Sequence, residues 1–466
     1  MNKILEKDLI NIGNLLEKIK KQGVNHLQSL DETPTSHQFA AIENPRSLNK
    51  KGLGTAKTLT VFNETFKPIM VASGGPRYWG FVTGGATPAA IAGDWLSTIY
   101  DQNTQSIKGQ GDISATIEIE TIRLLLELLK LPKDFTGGFV TGATMSNFTS
   151  LAVARQWAGK EQGLDIAKQG VQGDIKVLTA TPHSSAVKSL AMLGLGSQNF
   201  LKIKTLEGNR EAIDIAHLKE IIKDSKHPFI LISSGGTVNT VDFDDFRAIS
   251  ALKKKYKFWW HIDAAFGAFA ACSPKYAPLL RGWESADSIT VDCHKWLNVP
   301  YDSAFYLIKE CHKYAQVETF QNSNAPYLGN PLENFSYLNL LPENSRRLRA
   351  LPTWFSLVAY GKEGYRDIVE NSVTMAQKFG DFIENSEKFE LLAPVRLNTV
   401  CFTLQGVENQ DKVLPFLQEV NNTGKVFMTP TVYQDKKGIR AAFVNWLTTE
   451  KDIEIAISIM LKLIEN

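Results

Sequence analysis

Cysteine is scarce in this 466-residue chain, and Cys272, Cys293, Cys311 and Cys401 stand far apart with no Cys-x-x-Cys pair. That spacing excludes a disulfide framework and suits a reducing compartment, the cytoplasm. The eight histidines show no His-x-x-x-His or comparable ligand spacing, so no metal site is expected. Charge of neither sign dominates: 51 Lys and Arg against 49 Asp and Glu leave a formal net charge of +2. Neither a nucleic acid nor a membrane surface is indicated as a partner, and the ligand is expected to be small. Long hydrophobic runs are missing as well. The run from Leu124 to Leu129 is far too short to cross a bilayer, and Met1-Asn2-Lys3-Ile4-Leu5-Glu6-Lys7-Asp8 lacks the apolar centre of a signal peptide. There is no internal repeat, low-complexity tract or acidic tail.

With 43% hydrophobic and 21% charged residues, the chain can bury a large core, with room for one or two smaller domains. Residues 1–30 carry a helical period through Ile4, Ile10, Ile12, Leu15, Leu16 and Ile19, followed by a polar turn over 31–36. From 113 to 310, helices alternate with short apolar strands. The pattern predicts helices over 117–131, 146–162, 186–193 and 246–255, and strands over 138–141, 175–179, 229–233 and 258–262. Such alternation predicts an α/β fold with a mostly parallel sheet covered by helices and ligand groups at the carboxyl ends of its strands. Asp263, Thr141 and the Gly235-Gly236-Thr237 turn fall at such ends. The last hundred or so residues change style, with strands over 398–404 and 440–444 and a closing helix from Glu450, as in a small α+β domain.

The most informative stretches are Trp260-His261-Ile262-Asp263-Ala264-Ala265 and Val291-Asp292-Cys293-His294-Lys295-Trp296. Each places a reactive group at the end of an apolar strand. An amine there can hold an aldehyde as a Schiff base, and a carboxylate can keep a pyridine nitrogen protonated, which is the pair pyridoxal 5'-phosphate requires. Asp263 alone would equally suit a helix cap; beside Lys295 it points to function. Thr141-Gly142-Ala143-Thr144-Met145-Ser146 joins a strand to a helix and can receive a phosphate on its N–H groups, although a plain turn and cap is the commoner use of such residues. His183, in Thr181-Pro182-His183-Ser184, reads by itself as a cap, and next to a cofactor ring it would stack.

With these motifs the chain resembles fold-type I pyridoxal-phosphate enzymes, and more closely the group II decarboxylases that act on aromatic amino acids, histidine and glutamate. The likeness runs from Gly75-Pro76-Arg77-Tyr78-Trp79 to Arg346-Arg347-Leu348-Arg349-Ala350-Leu351. It implies that Lys295 carries the cofactor, Asp263 pairs with the pyridine nitrogen, His183 stacks on the ring and Ala265 packs beneath it. It further implies that Ala143 and Thr144 bind phosphate, that Thr237 contacts the cofactor, and that His294 sits beside the substrate. Phe81 and Thr83, in Phe81-Val82-Thr83-Gly84, fall where those enzymes contact the substrate, with a threonine on its carboxylate. Tyr327, in Ala325-Pro326-Tyr327-Leu328, falls where they place a mobile tyrosine that reaches the neighbouring subunit's site; it is the expected general acid for protonating Cα. Lys295, His183, Tyr327 and His294 are thus the expected catalytic residues.

Two positions depart from the aromatic decarboxylases. Asp292 stands where they carry asparagine near the phosphate, and a carboxylate repels phosphate unless turned away or hydrogen-bonded. Asp101-Gln102-Asn103-Thr104-Gln105 replaces the apolar residues that line their substrate ring, which favours a hydrophilic substrate side chain. The resulting expectation is a cytoplasmic homodimer with a shared active site that decarboxylates an L-amino acid. Residues 1–77 would be a helical segment packed on the partner subunit, 78–346 the large cofactor domain, and 347–466 the small α+β domain. An aminotransferase, an aldehyde lyase or a decarboxylating deaminase shares the lysine, aspartate and phosphate loop. A catalytically silent dimeric scaffold is the remaining alternative.

Overall fold

The computed structural model describes residues 1–38, 47–107, 111–225, 227–321 and 335–465. A seven-stranded sheet forms its centre: β1 (Phe135–Val140), β2 (Val177–Thr179), β3 (Leu201–Lys202), β4 (Phe229–Ser234), β5 (Phe258–Asp263), β6 (Ser288–Asp292) and β7 (Ala304–Lys309). Their order is β1-β7-β6-β5-β4-β2-β3. Strands β3, β2, β4, β5 and β6 are parallel, and β7 runs against both its neighbours. The mostly parallel sheet expected from the alternation is present, with one reversed strand that the pattern does not announce. A parallel crossover needs roughly a dozen residues or more and usually a helix. Residues 293–303 instead fold straight back, with the Cys293 N–H bonded to Ser303 O at 3.0 Å.

Strand β5 is buried along its whole length because both faces are covered. Side chains alternate, so Trp259, His261 and Asp263 share one face and Trp260 and Ile262 the other. The first set meets the helix Ala143–Lys160, where the Trp157 and Trp259 rings lie 5.9 Å apart; on the second face Trp260 meets Phe246 at 5.8 Å. Asp263 ends the strand in register with Ser234, the last residue of β4, and with Thr290 of β6, which runs on to Asp292. The helix expected over 117–131 ends earlier, at Leu128, because Lys130 turns to φ 57°. Helix Ala143–Lys160 starts three residues before its expected position, which brings Ala143 and Thr144 into its first turn.

After the long helix Ala350–Glu384, four antiparallel strands follow: β8 (Phe389–Leu391), β9 (Thr399–Leu404), β10 (Thr429–Tyr433) and β11 (Lys436–Ala442), in the order β10-β11-β9-β8. Helices Val413–Asn422 and Glu450–Ile464 pack on them around Phe379, Phe402, Phe443 and Trp79. Thr449 and Asp452 form a capping box at the start of the last helix, and Asp452 also holds Arg77 in a buried ion pair of 2.7 Å. At the other end of the chain, the single helix expected over 1–30 divides at Asn11 into Lys3–Ile10 and Ile12–Gln28, neither of which buries a residue. Among the described residues no helix is long and apolar enough to cross a membrane.

Candidate active site

A cavity of about 190 Å³ opens at the carboxyl ends of β4 and β5, and its walls include His183, Thr237, Asp263, Ala265, Phe266 and Lys295. Lys295 reaches it from the β6–β7 connection, with its Nζ 5.6 Å from the centre of the Phe266 ring. Thr237 is held in the wall by donating its hydroxyl proton to Glu211 Oε2 and accepting the Asp242 N–H at 3.0 Å.

Asp263 belongs to a hydrogen-bonded chain whose proton positions follow from its donors. Trp259 Nε1–H, which can only donate, bonds to Ser288 Oγ at 2.9 Å. Ser288 therefore donates to His261 Nδ1 at 2.8 Å, and His261 donates from Nε2 to Asn147 Oδ1 at 2.8 Å. Asn147 spends its two amide protons on Asp263 Oδ2 at 3.0 Å and Ser185 Oγ at 3.1 Å. Ser185 passes its own proton to His183 Nδ1 at 2.7 Å, and the Ser185 N–H reaches the same nitrogen at 3.2 Å. The proton of a neutral His183 is thus fixed on Nε2. Burial lowers the pKa of His183 despite the opposing pull of Asp263, and burial pushes His261 down to about 4. Both imidazoles are neutral at pH 7.

Asp263 Oδ1 accepts the Ala265 N–H at 3.3 Å. Among the described residues no lysine, arginine or histidine nitrogen forms an ion pair with this carboxylate, which is only 9% exposed. A buried charge without a counter-ion is costly, so the arrangement suits a cationic nitrogen supplied from the cavity. Together with the Lys295 amine in the same wall, it fits pyridoxal phosphate.

The Lys295 segment is clamped from behind. Gly84 N–H bonds to His294 O at 3.3 Å, and a Cβ on Gly84 would lie 1.7 Å from Lys295 O, so only glycine fits there. Asp292, 2% exposed, faces the lysine: its Oδ2 lies 3.2 Å from Lys295 Nζ and 3.7 Å from His294 Nε2. His294 Nδ1 accepts the Ser303 N–H at 3.3 Å, and burial lowers this imidazole's pKa. Its ring stacks on Tyr301, whose hydroxyl lies 3.2 Å from that of Thr83. Gly142 faces the same histidine, since a Cβ there would come 3.5 Å from His294 Cε1; Ala143 and Thr144 follow in the helix's first turn.

Phe81 is 59% exposed and packs on Phe427 at 5.9 Å, outside the cavity walls. The polar run 101–105 is also absent from those walls. Asn103 Oδ1 accepts the Arg346 N–H at 3.0 Å, Thr104 N–H bonds to Arg346 O at 2.9 Å, and Gln105 Nε2 bonds to Asn344 O at 2.7 Å. Within one chain the side chains of Asn103 and Gln105 therefore serve this pairing. Tyr327 lies outside the described residues. Sequence reasoning missed Asn147, Ser185, Ser288 and Tyr301. Two of these carried a usable signal: Asn147 lies one helical turn beyond Ala143, and Ser185 two residues beyond His183.

Residues 42–405 match the pyridoxal-dependent decarboxylase conserved domain. An aromatic-L-amino-acid decarboxylase of Bacillus atrophaeus is 26% identical over 460 residues, covering 94% of this chain and 92% of that protein. A 3,4-dihydroxyphenylacetaldehyde synthase of Aedes aegypti is also 26% identical, over 88% of this chain and 81% of the relative. In fold, the chain is similar to Catharanthus roseus tryptophan decarboxylase solved with L-tryptophan (TM-score 0.88, 20% identity, 98% of each chain). It is likewise similar to mouse CSAD (TM-score 0.87, 18% identity, 98% of this chain and 99% of that one). The cofactor is pyridoxal phosphate and the enzyme class a carboxy-lyase, because the domain match spans both the Asp263 and the Lys295 segments. Cavity, amine and unpaired carboxylate therefore have one common explanation: the chain belongs to the pyridoxal-dependent decarboxylase family.

Proposed function

We propose that this enzyme removes the α-carboxylate of an L-amino acid as carbon dioxide and releases the corresponding amine. The observation that carries the reading is the convergence of Lys295 and the uncompensated Asp263 on one cavity, with the Nε2–H of a neutral His183 in the same wall. Pyridoxal phosphate, when bound, supplies an electron-accepting ring for the pair left at Cα as the carboxylate departs. Lys295 would hold it covalently, Asp263 would face the pyridine nitrogen, and Ala265 and His183 would pack on opposite sides of the ring. Ala143, Thr144 and Thr237 would complete its contacts. Asp292, turned to the Lys295 amine, gives that lysine a counter-charge where the aromatic decarboxylases have asparagine.

On the substrate side, Thr83, His294 and Phe81 would orient the amino acid, and Tyr327 would return a proton to Cα. We read the enzyme as a cytoplasmic homodimer that shares its sites. Its N-terminal helices expose Leu5, Leu9, Ile10 and Leu16, a face suited to a second copy, and its four cysteines are free thiols. The division at 77 and 346 belongs to the same proposal. A second reading is favoured by the aldehyde synthases among the relatives. In it, loss of carbon dioxide is coupled to release of ammonia and an aldehyde, with an added oxidant accepting two electrons.

Borohydride reduction of the loaded enzyme followed by peptide mass spectrometry tests the anchor, with the label expected on Lys295. Assays of carbon dioxide, amine and aldehyde on a panel of L-amino acids test the reaction. Equal carbon dioxide and amine support the proposal, and aldehyde with ammonia would replace it by the second reading. A label on any other lysine would overturn the site.

A further inference from the structure

We propose that Tyr301 is a positioning residue for the substrate, a role that rests on the decarboxylation reading above. Its hydroxyl orients that of Thr83 while its ring holds the His294 imidazole. The two hydroxyls lie 3.2 Å apart, and the Tyr301 and His294 rings stack with centroids 4.2 Å apart at 26°. One side chain thus touches two of the groups assigned to the substrate side, Thr83 and His294.

A pair of mutually bonded hydroxyls owns two protons and uses one between them. When the phenol donates, the Thr83 O–H remains free for an incoming acceptor, and its rotation is restricted by the shared bond. A carboxylate is the acceptor that gains most, because a hydrogen bond to an ionised group is about twice as strong as a neutral one. The ring acts on a second coordinate. His294 Nδ1 accepts the Ser303 N–H at 3.3 Å, so its proton lies on Nε2, 3.7 Å from Asp292 Oδ2, and stacking fixes the plane in which that proton points.

Tyr301 is 58% exposed, yet the loop that carries it is braced on both sides. The buried Asn298 donates to Trp296 O at 2.8 Å and Val444 O at 3.0 Å and accepts the Trp446 N–H at 3.1 Å. On the far side Asp302 bonds to Arg349 Nε at 3.1 Å. The phenol is therefore delivered to Thr83 from a fixed backbone.

The test compares Tyr301→Phe, which keeps the ring and removes the hydroxyl, with Thr83→Val and the double variant, each as holoenzyme. Binding is read from the change in cofactor absorbance on adding an L-amino acid, and turnover from carbon dioxide release. Tyr301→Phe is expected to weaken binding about three- to tenfold, as for loss of one hydrogen bond between neutral groups, with the loss appearing in KM more than in kcat. The double variant is expected to bind no worse than Thr83→Val, because the phenol acts through Thr83. Binding by Tyr301→Phe within about twofold of wild type, or independent multiplication of the two effects, would overturn the assignment. If the wild-type enzyme binds amino acids without releasing carbon dioxide, the decarboxylation reading fails while the binding comparison still decides the part played by Tyr301.

Discussion

Replacing Asn147 with leucine tests whether the buried chain from Trp259 to His183 sets up the cofactor site. Asn147 is fully buried and makes three bonds: to Asp263 at 3.0 Å, to Ser185 at 3.1 Å and from His261 at 2.8 Å. Leucine leaves the His261 Nε2–H without an acceptor in a site closed to water, which costs about 1–3 kcal/mol of stability. It also removes one of the two donors to Asp263, a charge-assisted bond worth about 1.5–3 kcal/mol. Because that carboxylate is the proposed counter-ion of the cofactor, this second loss should appear in cofactor binding, as a rise in Kd of about 10- to 100-fold. Melting of the apoprotein measures the first effect and absorbance titration with pyridoxal phosphate the second. Ser185→Ala serves as the comparison. It leaves Asp263 with both donors, so Kd should stay within about threefold of wild type while turnover falls as His183 loses the Ser185 hydroxyl. An Asn147→Leu protein whose cofactor Kd also stays within about threefold of wild type would refute the reasoning.

Gly84→Ala should lower cofactor occupancy of the purified protein, read at the cofactor's visible absorbance, since its Cβ has no room beside Lys295 O at 1.7 Å. Full occupancy would show that the clamp on the lysine segment gives way at no cost. Arg346→Met should destabilise the fold by about 3–5 kcal/mol in denaturant unfolding, because it strands Glu118, buried and paired with Arg346 at 2.9 Å. Beside Trp259 near the start of β5, burial lowers His312 but its bonds to Asp287 and Cys311 outweigh that and raise it to about 9. A folded-state pKa raised above the unfolded value contributes stability that is complete below about 6.5 and lost as pH rises through about 9. The stability difference between wild type and His312→Asn should therefore shrink between about pH 7 and 10, and a constant difference would contradict the pairing.

Much of the architecture was legible from local pattern. Strand β5 announces itself as a short apolar run and the helix after Gly142 by its place in the helix–strand alternation, and Asp263 and Lys295 stand out because charged groups at the ends of apolar strands need a partner. The reversal of β7 was not legible, because strand direction depends on how residues 293–303 turn back rather than on any repeat within them. The side chosen by Asp292 was equally hidden: a carboxylate beside Lys295 in sequence can face phosphate or amine, and packing turned it to the amine. Asn147 and His261, and Thr83 and Tyr301, are more than a hundred positions apart along the chain. Short-range chemistry determined by itself which segments form strands and helices and which residues can react. Only the tertiary structure decided which of them meet, because a hydrogen bond between distant residues depends on three-dimensional distance, which no sequence period encodes.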